Sequence, residues 1–434
     1  MTNKLINITI NLIIFIVPLL TLPYQIYRQS YNLPKIIVLL LLGLILLILV
    51  IIKKKELKFD LIDKTLITFY FLIIVSTIFS VNIYKAIIGE KNRYEGLLTF
   101  TVYFLVYYCA KNFYYYNKNI KYYAIAAVSI TSVIGILQYY NIFPLNILNV
   151  SNIYGFSSST FGNRNFFGSF LAIVVPLFIS LYLIKNKKIY LFLSYTSFAA
   201  MLLSMTRSAW VGLAFAIIVG IIYIIKNFNK HILKRTIYLV LGCSGIMLFL
   251  LFPPKFIETY LSNYSSSNLL DKRLELVSTE INTIFEDTNS EQTISKLGSG
   301  RIKIWSLTLK LIAKTPLLCS GPDTLIDGLL YNLKYEMYDY ILTTHAFFDK
   351  AHNEYLQIAA TIGIPALIIY LSFLMQILAK SKNMFNNNIV FILTIPIISY
   401  IVQAFFNIST IGVAPIFWFL LGIIQNEKFK KDLE

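Results

Sequence analysis

Residues 351–371 read AHNEYLQIAATIGIPALIIYL, a stretch that passes from polar to apolar without a break. His352 stands at its polar end, where a helix is expected to start. The positive end of a helix disfavours an imidazolium, and a neutral imidazole can accept a proton. His352 is therefore a candidate general base, although a lone histidine is more often a structural hydrogen-bonder. Asn353 beside it is either a helix cap or a substrate contact. His345, in a segment rich in Thr and Phe, is the weaker histidine candidate. Arg207 lies in LLSMTRSAWVGL, where two apolar runs meet. A charge at a membrane helix end is costly and reads as functional, the alternative being a side chain that snorkels to a lipid phosphate. Arg301 follows Gly298-Ser299-Gly300 and opens RIKIWSLTLKLIAK. Helix-start N–H groups bind anions, and a guanidinium fork matches a phosphate; a headgroup contact is the plainer reading. Arg164 and Asn163, in Gly162-Asn163-Arg164-Asn165, and Arg93, near Lys91, are further substrate-binding candidates. For these, a loop hydrogen bond or a headgroup contact is the more ordinary role.

The elements that must position these residues are membrane helices. Of the 434 residues, 57% are hydrophobic and 14% charged, against about a quarter charged in soluble proteins. Apolar runs of about 20 residues, the length that crosses a bilayer as a helix, recur along the chain. The expected fold is an all-α polytopic membrane protein with about twelve spans: 6–22, 35–52, 66–79, 97–110, 122–140, 166–184, 189–203, 211–225, 236–251, 355–378, 389–406 and 411–424. The first run imitates a signal peptide but lacks a small-residue cleavage site, so it is kept as a span. Three regions follow: a nine-span bundle over 1–251, a large polar loop over 252–353, and three spans with a tail over 354–434. Lysines concentrate in alternate short loops, which by the positive-inside rule places both termini in the cytoplasm and the long loop outside. His352 and the arginines then share the outer face.

Within the long loop, 271–287 has helical spacing, and Lys296–Gly300 is a break in which Ser299 is placed to cap the next helix. The stretch 301–314 carries Ile302, Trp305, Leu309 and Ile312 on one stripe and reads as an amphipathic helix lying on the membrane. Asp323, after a Ser-Gly-Pro turn, is expected to cap a short helix.

A net charge of +17 in a soluble domain would suggest nucleic acid; here the cations flank apolar spans and set topology, so no nucleic-acid partner is expected. Cys109, Cys243 and Cys319 lie far apart and form no disulfide or zinc pattern. The loop carboxylates have no metal-ligand spacing. A transporter would place polar residues at mid-membrane, whereas here charge collects at helix ends. Arginines for a diphosphate, a histidine for a hydroxyl and a membrane location together fit glycan transfer from a polyprenyl diphosphate.

Four blocks, in order, resemble the O-antigen ligase and polymerase superfamily of bacterial membrane glycosyltransferases. They are TFGNRNFFGSFLA (160–172), SMTRSAWVGL (204–213), SGRIKIW (299–305) with the Gly321 turn, and HNEYLQIAATIG (352–363). The resemblance implies a lipid-dependent glycosyltransferase fold of the GT-C kind. It implies an undecaprenyl-diphosphate-linked glycan donor and a lipid, glycan or protein acceptor. Transfer would occur at the outer face of the bacterial cytoplasmic membrane, with no metal and no cofactor. By the same similarity, Arg207 and Arg301 would hold the diphosphate and His352 would activate the acceptor. Arg164 stands where the family often has proline. The His-Asn-helix block is more like the ligase branch; a polymerase is the alternative, and a lipid-linked glycan flippase the alternative in another class.

Overall fold

A computed structural model describes residues 2–21, 31–140, 157–252 and 301–433. The expected helix over 271–287 and the Ser299 cap fall outside the described residues. All regular elements among the described residues are helical. Seven of them are long and apolar enough to cross a membrane: α1 (Thr2–Leu19), α2 (Leu33–Ile52), α3 (Leu61–Ile78), α6 (Ile120–Tyr139), α7 (Arg164–Lys185), α9 (Arg207–Lys226) and α10 (Lys230–Leu251). The other expected spans coincide with shorter helices: α5 (Leu97–Asn112), α8 (Lys188–Ser204), α15 (Ile364–Lys380), α16 (Asn388–Ala404) and α17 (Ala414–Ile423). Short helices α4 (Ile83–Ile88), α11 (Arg301–Lys314), α12 (Leu325–Asn332), α13 (Lys334–Thr344) and α14 (Glu354–Thr361) sit between them.

The helices start where the sequence supplies caps. Asp60 and Asp63 form a capping box at the start of α3, and asparagine side chains cap α7, α10, α14 and α16. Each such side chain satisfies N–H groups that have no partner within the helix. Depth in the bundle follows packing partners and not apolar content, since α7 and α9 are equally apolar but differ in burial. In α7, 78% of the apolar window is buried, against 11% in α10. α7 is the centre of the bundle, packed by α8, α9 and α16, while α10 packs on α8 and α7 with most of its residues exposed. Without a hydrophobic drive between helices in lipid, close approach depends on small residues. Gly168 shows this: a Cβ there would come within 2.4 Å of the Thr206 side chain, so this glycine lets the α9 entry lie directly on α7.

Three expectations need correction. The span expected over 355–378 is two helices. α14 ends at Thr361 and α15 starts at Ile364, with Gly363 between them at φ +123° and Pro365 in the first turn of α15. A glycine past a helix end followed by proline stops a helix. The break is also held from outside: the Gly321 N–H donates to the Thr361 carbonyl at 2.8 Å, and the Ile364 N–H to Pro316 at 2.9 Å. Second, the buried face of α11 is Ile304, Leu307, Leu311 and Ile312, whereas Ile302 and Leu309 are about half exposed, at 45% and 52%. Apolar residues at eight of fourteen positions allow two stripes. The one chosen packs on α12 and α14, through Leu325, Leu329, Ala359 and Ala360. Third, Asp323 caps nothing. Its carboxylate accepts from the Glu90 and Glu95 N–H groups at 2.7 and 3.0 Å and forms a buried ion pair with Lys350. Thr324 precedes α12 and makes no side-chain cap hydrogen bond.

Candidate active site

Four helix starts meet at one end of the bundle, and each carries or adjoins at least one candidate residue. Arg164 is the first residue of α7; Asn163 precedes it, and its Oδ1 accepts from the Asn165 N–H at 2.8 Å. Arg207 is the first residue of α9. The Thr206 hydroxyl donates to the Arg164 carbonyl at 2.9 Å, which fixes the two helix starts side by side. Asn407, just beyond α16, reinforces this by donating to the Asn165 carbonyl at 3.0 Å and to the Ser169 hydroxyl at 2.9 Å. Arg301 opens α11.

His352 precedes α14 in the left-handed region, at φ +51°. A non-glycine residue there is strained and persists only where its surroundings hold it. Those restraints are visible on both sides. The Trp305 indole, from α11, donates to the Ala351 carbonyl at 2.9 Å. The Ala351 N–H donates to the Gln357 side chain at 2.9 Å. Asn353 caps α14, its Oδ1 accepting from the Tyr355 and Leu356 N–H groups at 3.0 Å each. Asn353 and Asn163 therefore spend an oxygen on helix caps, which leaves their NH₂ groups as what either could offer a ligand.

The charges of these residues act on one another. Burial lowers the pKa of Arg301, and the positive charges of Arg207 and Arg164 lower it further. His352 is brought down to about 4, first by burial and then by the charges of Arg301 and Arg93; Asp349 opposes the shift and Lys350 adds to it. The imidazole is thus neutral at ordinary pH, with cations and helix N-termini around it. Such an arrangement is electrostatically favourable for an anion.

The other expected residues are placed differently. His345 ends α13 as its C-cap, at φ +49°, with its side chain exposed. Arg93 points into a pair with Asp349: Nε donates to Oδ2 at 2.6 Å and Nη2 to Oδ1 at 3.0 Å. Behind His352 the Glu354 carboxylate is buried, accepting from the Tyr370 hydroxyl at 2.8 Å and the Tyr400 hydroxyl at 3.2 Å. Thr206, Trp305 and Glu354 lie within blocks that sequence analysis singled out, but none of the three was read there as a site residue. Their roles come from contacts that cross between elements.

Residues 191–371 match the O-antigen ligase family model. The match runs from α8 into α15 and takes in Arg207, Arg301, His352 and Asn353; Arg93, Asn163 and Arg164 lie before it. The match, on a chain whose helices are long and apolar enough to cross a membrane, supports at the coarse level an enzyme similar to O-antigen ligases and polymerases. No curated protein matches the chain.

Proposed function

We propose that this chain transfers a glycan from undecaprenyl diphosphate to an acceptor hydroxyl at the extracytoplasmic face of the bacterial cytoplasmic membrane. One observation carries the reading: Arg164, Arg207 and Arg301 stand at helix starts in a common field beside a neutral His352. The arginines and helix N–H groups hold the donor's diphosphate. The acceptor oxygen attacks the anomeric carbon as His352 takes its proton, and the bond from that carbon to the diphosphate oxygen breaks. Undecaprenyl diphosphate leaves with its charge compensated, which is where electrostatic stabilisation acts most strongly. The proton on His352 then passes to water or to the departing diphosphate. No step needs a metal or cofactor.

The acceptor is a lipid, glycan or protein, and a ligase and a polymerase would share this chemistry. The His352–Gly363 block favours the ligase. The test is the length of undecaprenyl-linked glycans in cells that lack the chain. Long glycans stranded on the carrier identify a ligase, and single repeats accumulating outside identify a polymerase. Single repeats trapped inside would contradict transfer and indicate transport.

A further inference from the structure

Arg93 lies outside the matched stretch and takes no part in the transfer step above, yet its guanidinium is held from two sides. Asp349 accepts its fork in the bidentate geometry described above, and the ring of Phe166 lies under Cζ at 5.3 Å. Asp349 is three residues before His352, and Phe166 is two residues after Arg164. One side chain therefore ties the segment that bears His352 to the helix that bears Arg164. The loop carrying Arg93 is itself anchored. Its Glu90 and Glu95 N–H groups donate to Asp323, whose partner Lys350 adjoins Asp349. The Asn32 side chain donates to the Asn92 carbonyl at 2.7 Å. Asn92 and Tyr94 sit at φ +69° and +57°, conformations that non-glycine residues hold only where the surroundings impose them.

We propose that Arg93 is a positioning residue: its fork on Asp349, seated on Phe166, sets the distance between His352 and the arginines that hold the donor. The proposal rests on the functional reading above. A substrate role for Arg93 is disfavoured by its pairing. Two of its nitrogens are already engaged, and the adjacent carboxylate offsets the charge a diphosphate would seek.

The test uses the purified full chain in a lipid bilayer, with two readouts: turnover of an undecaprenyl-diphosphate-linked glycan, and binding of undecaprenyl diphosphate itself. Arg93→Gln and Asp349→Asn should each lower kcat about tenfold or more, since small misplacements of reacting groups are costly, while binding stays within about twofold. Arg93→Asp combined with Asp349→Arg should recover at least about fivefold over either reversed single variant, because the pair is coupled. Should the reversed pair fold poorly, Arg93→Lys, which keeps the charge and loses the fork, should lower kcat without weakening binding. Arg93→Gln weakening undecaprenyl diphosphate binding about tenfold, with Asp349→Asn leaving it intact, would make Arg93 a ligand and overturn the proposal. His352→Ala and Arg301→Lys run in parallel separate the two levels. If those retain normal turnover, the functional reading fails and this proposal with it. If they lose turnover while the Arg93 and Asp349 variants keep it, this proposal alone fails.

Discussion

His352 is held neutral by burial and by its cationic neighbours, and that has a consequence for the pH dependence of transfer. Its pKa is depressed in the folded protein, so the neutral base persists as pH falls and is lost only near 4. The acid limb of kcat/KM, which reports the free enzyme, should therefore lie near about 4 instead of near the ordinary histidine value of about 6.5. A bound diphosphate brings negative charge against the same arginines and raises the imidazole pKa again. The acid limb of kcat should accordingly fall at higher pH than that of kcat/KM. Matching limbs near 6.5 in both profiles would show that the cationic surroundings do not act on His352. Arg301 makes a second prediction at this scale. Arg301→Lys keeps the charge and removes the planar fork, and should lower kcat/KM about tenfold to a hundredfold. Unchanged kinetics would reduce Arg301 to a headgroup contact.

Among the elements, the break between α14 and α15 sets where His352 can sit. A helix continued through Gly363 would shift α14 off the Pro316–Gly321 segment that braces it. Gly363→Ala meets both a φ of +123° and a Leu317 carbonyl oxygen 2.2 Å from the new Cβ. It should cost about 2–3 kcal/mol of stability, read as a lower unfolding temperature in detergent. No loss would mean that the break relaxes freely. The break was written in the sequence, because Gly363 followed by Pro365 is a helix stop; the long apolar run on either side concealed it. The buried face of α11 was not legible in the same way. Its composition supports two stripes, and only contact with α12 and α14 selects Ile304, Leu307 and Leu311. Of the helix starts, the Asn353 cap was legible from local chemistry, whereas Asn163 was read as a substrate or loop contact and Asp323 as a cap that it is not.

At the scale of the whole molecule, long apolar runs made the helical membrane fold readable, and the described helices follow those runs closely. What could not be read was the set of contacts that gathers the site. Arg93 and Asp349, or Asp323 and Glu95, are hundreds of residues apart in the chain, and no periodicity links them. The Lys350–Asp323 ion pair is one such hub, with both side chains almost fully buried. Removing one partner leaves the other charged and buried, so Lys350→Met should destabilise the protein by about 3–5 kcal/mol, measured by denaturation of the purified chain. A near-neutral effect would show that water reaches Asp323. Because Asp323 also holds the Glu90–Glu95 loop, the same variant should loosen the Arg93–Asp349 contact and reduce turnover.

The most direct test of the central claim is donor turnover by His352→Ala in a bilayer, with undecaprenyl-diphosphate-linked glycan as substrate and undecaprenyl diphosphate binding followed in parallel. A base beside an anion-holding arginine group predicts a loss of turnover of about a hundredfold or more with binding retained. Turnover near the normal rate would contradict the assignment of His352 and the account of the site built around it.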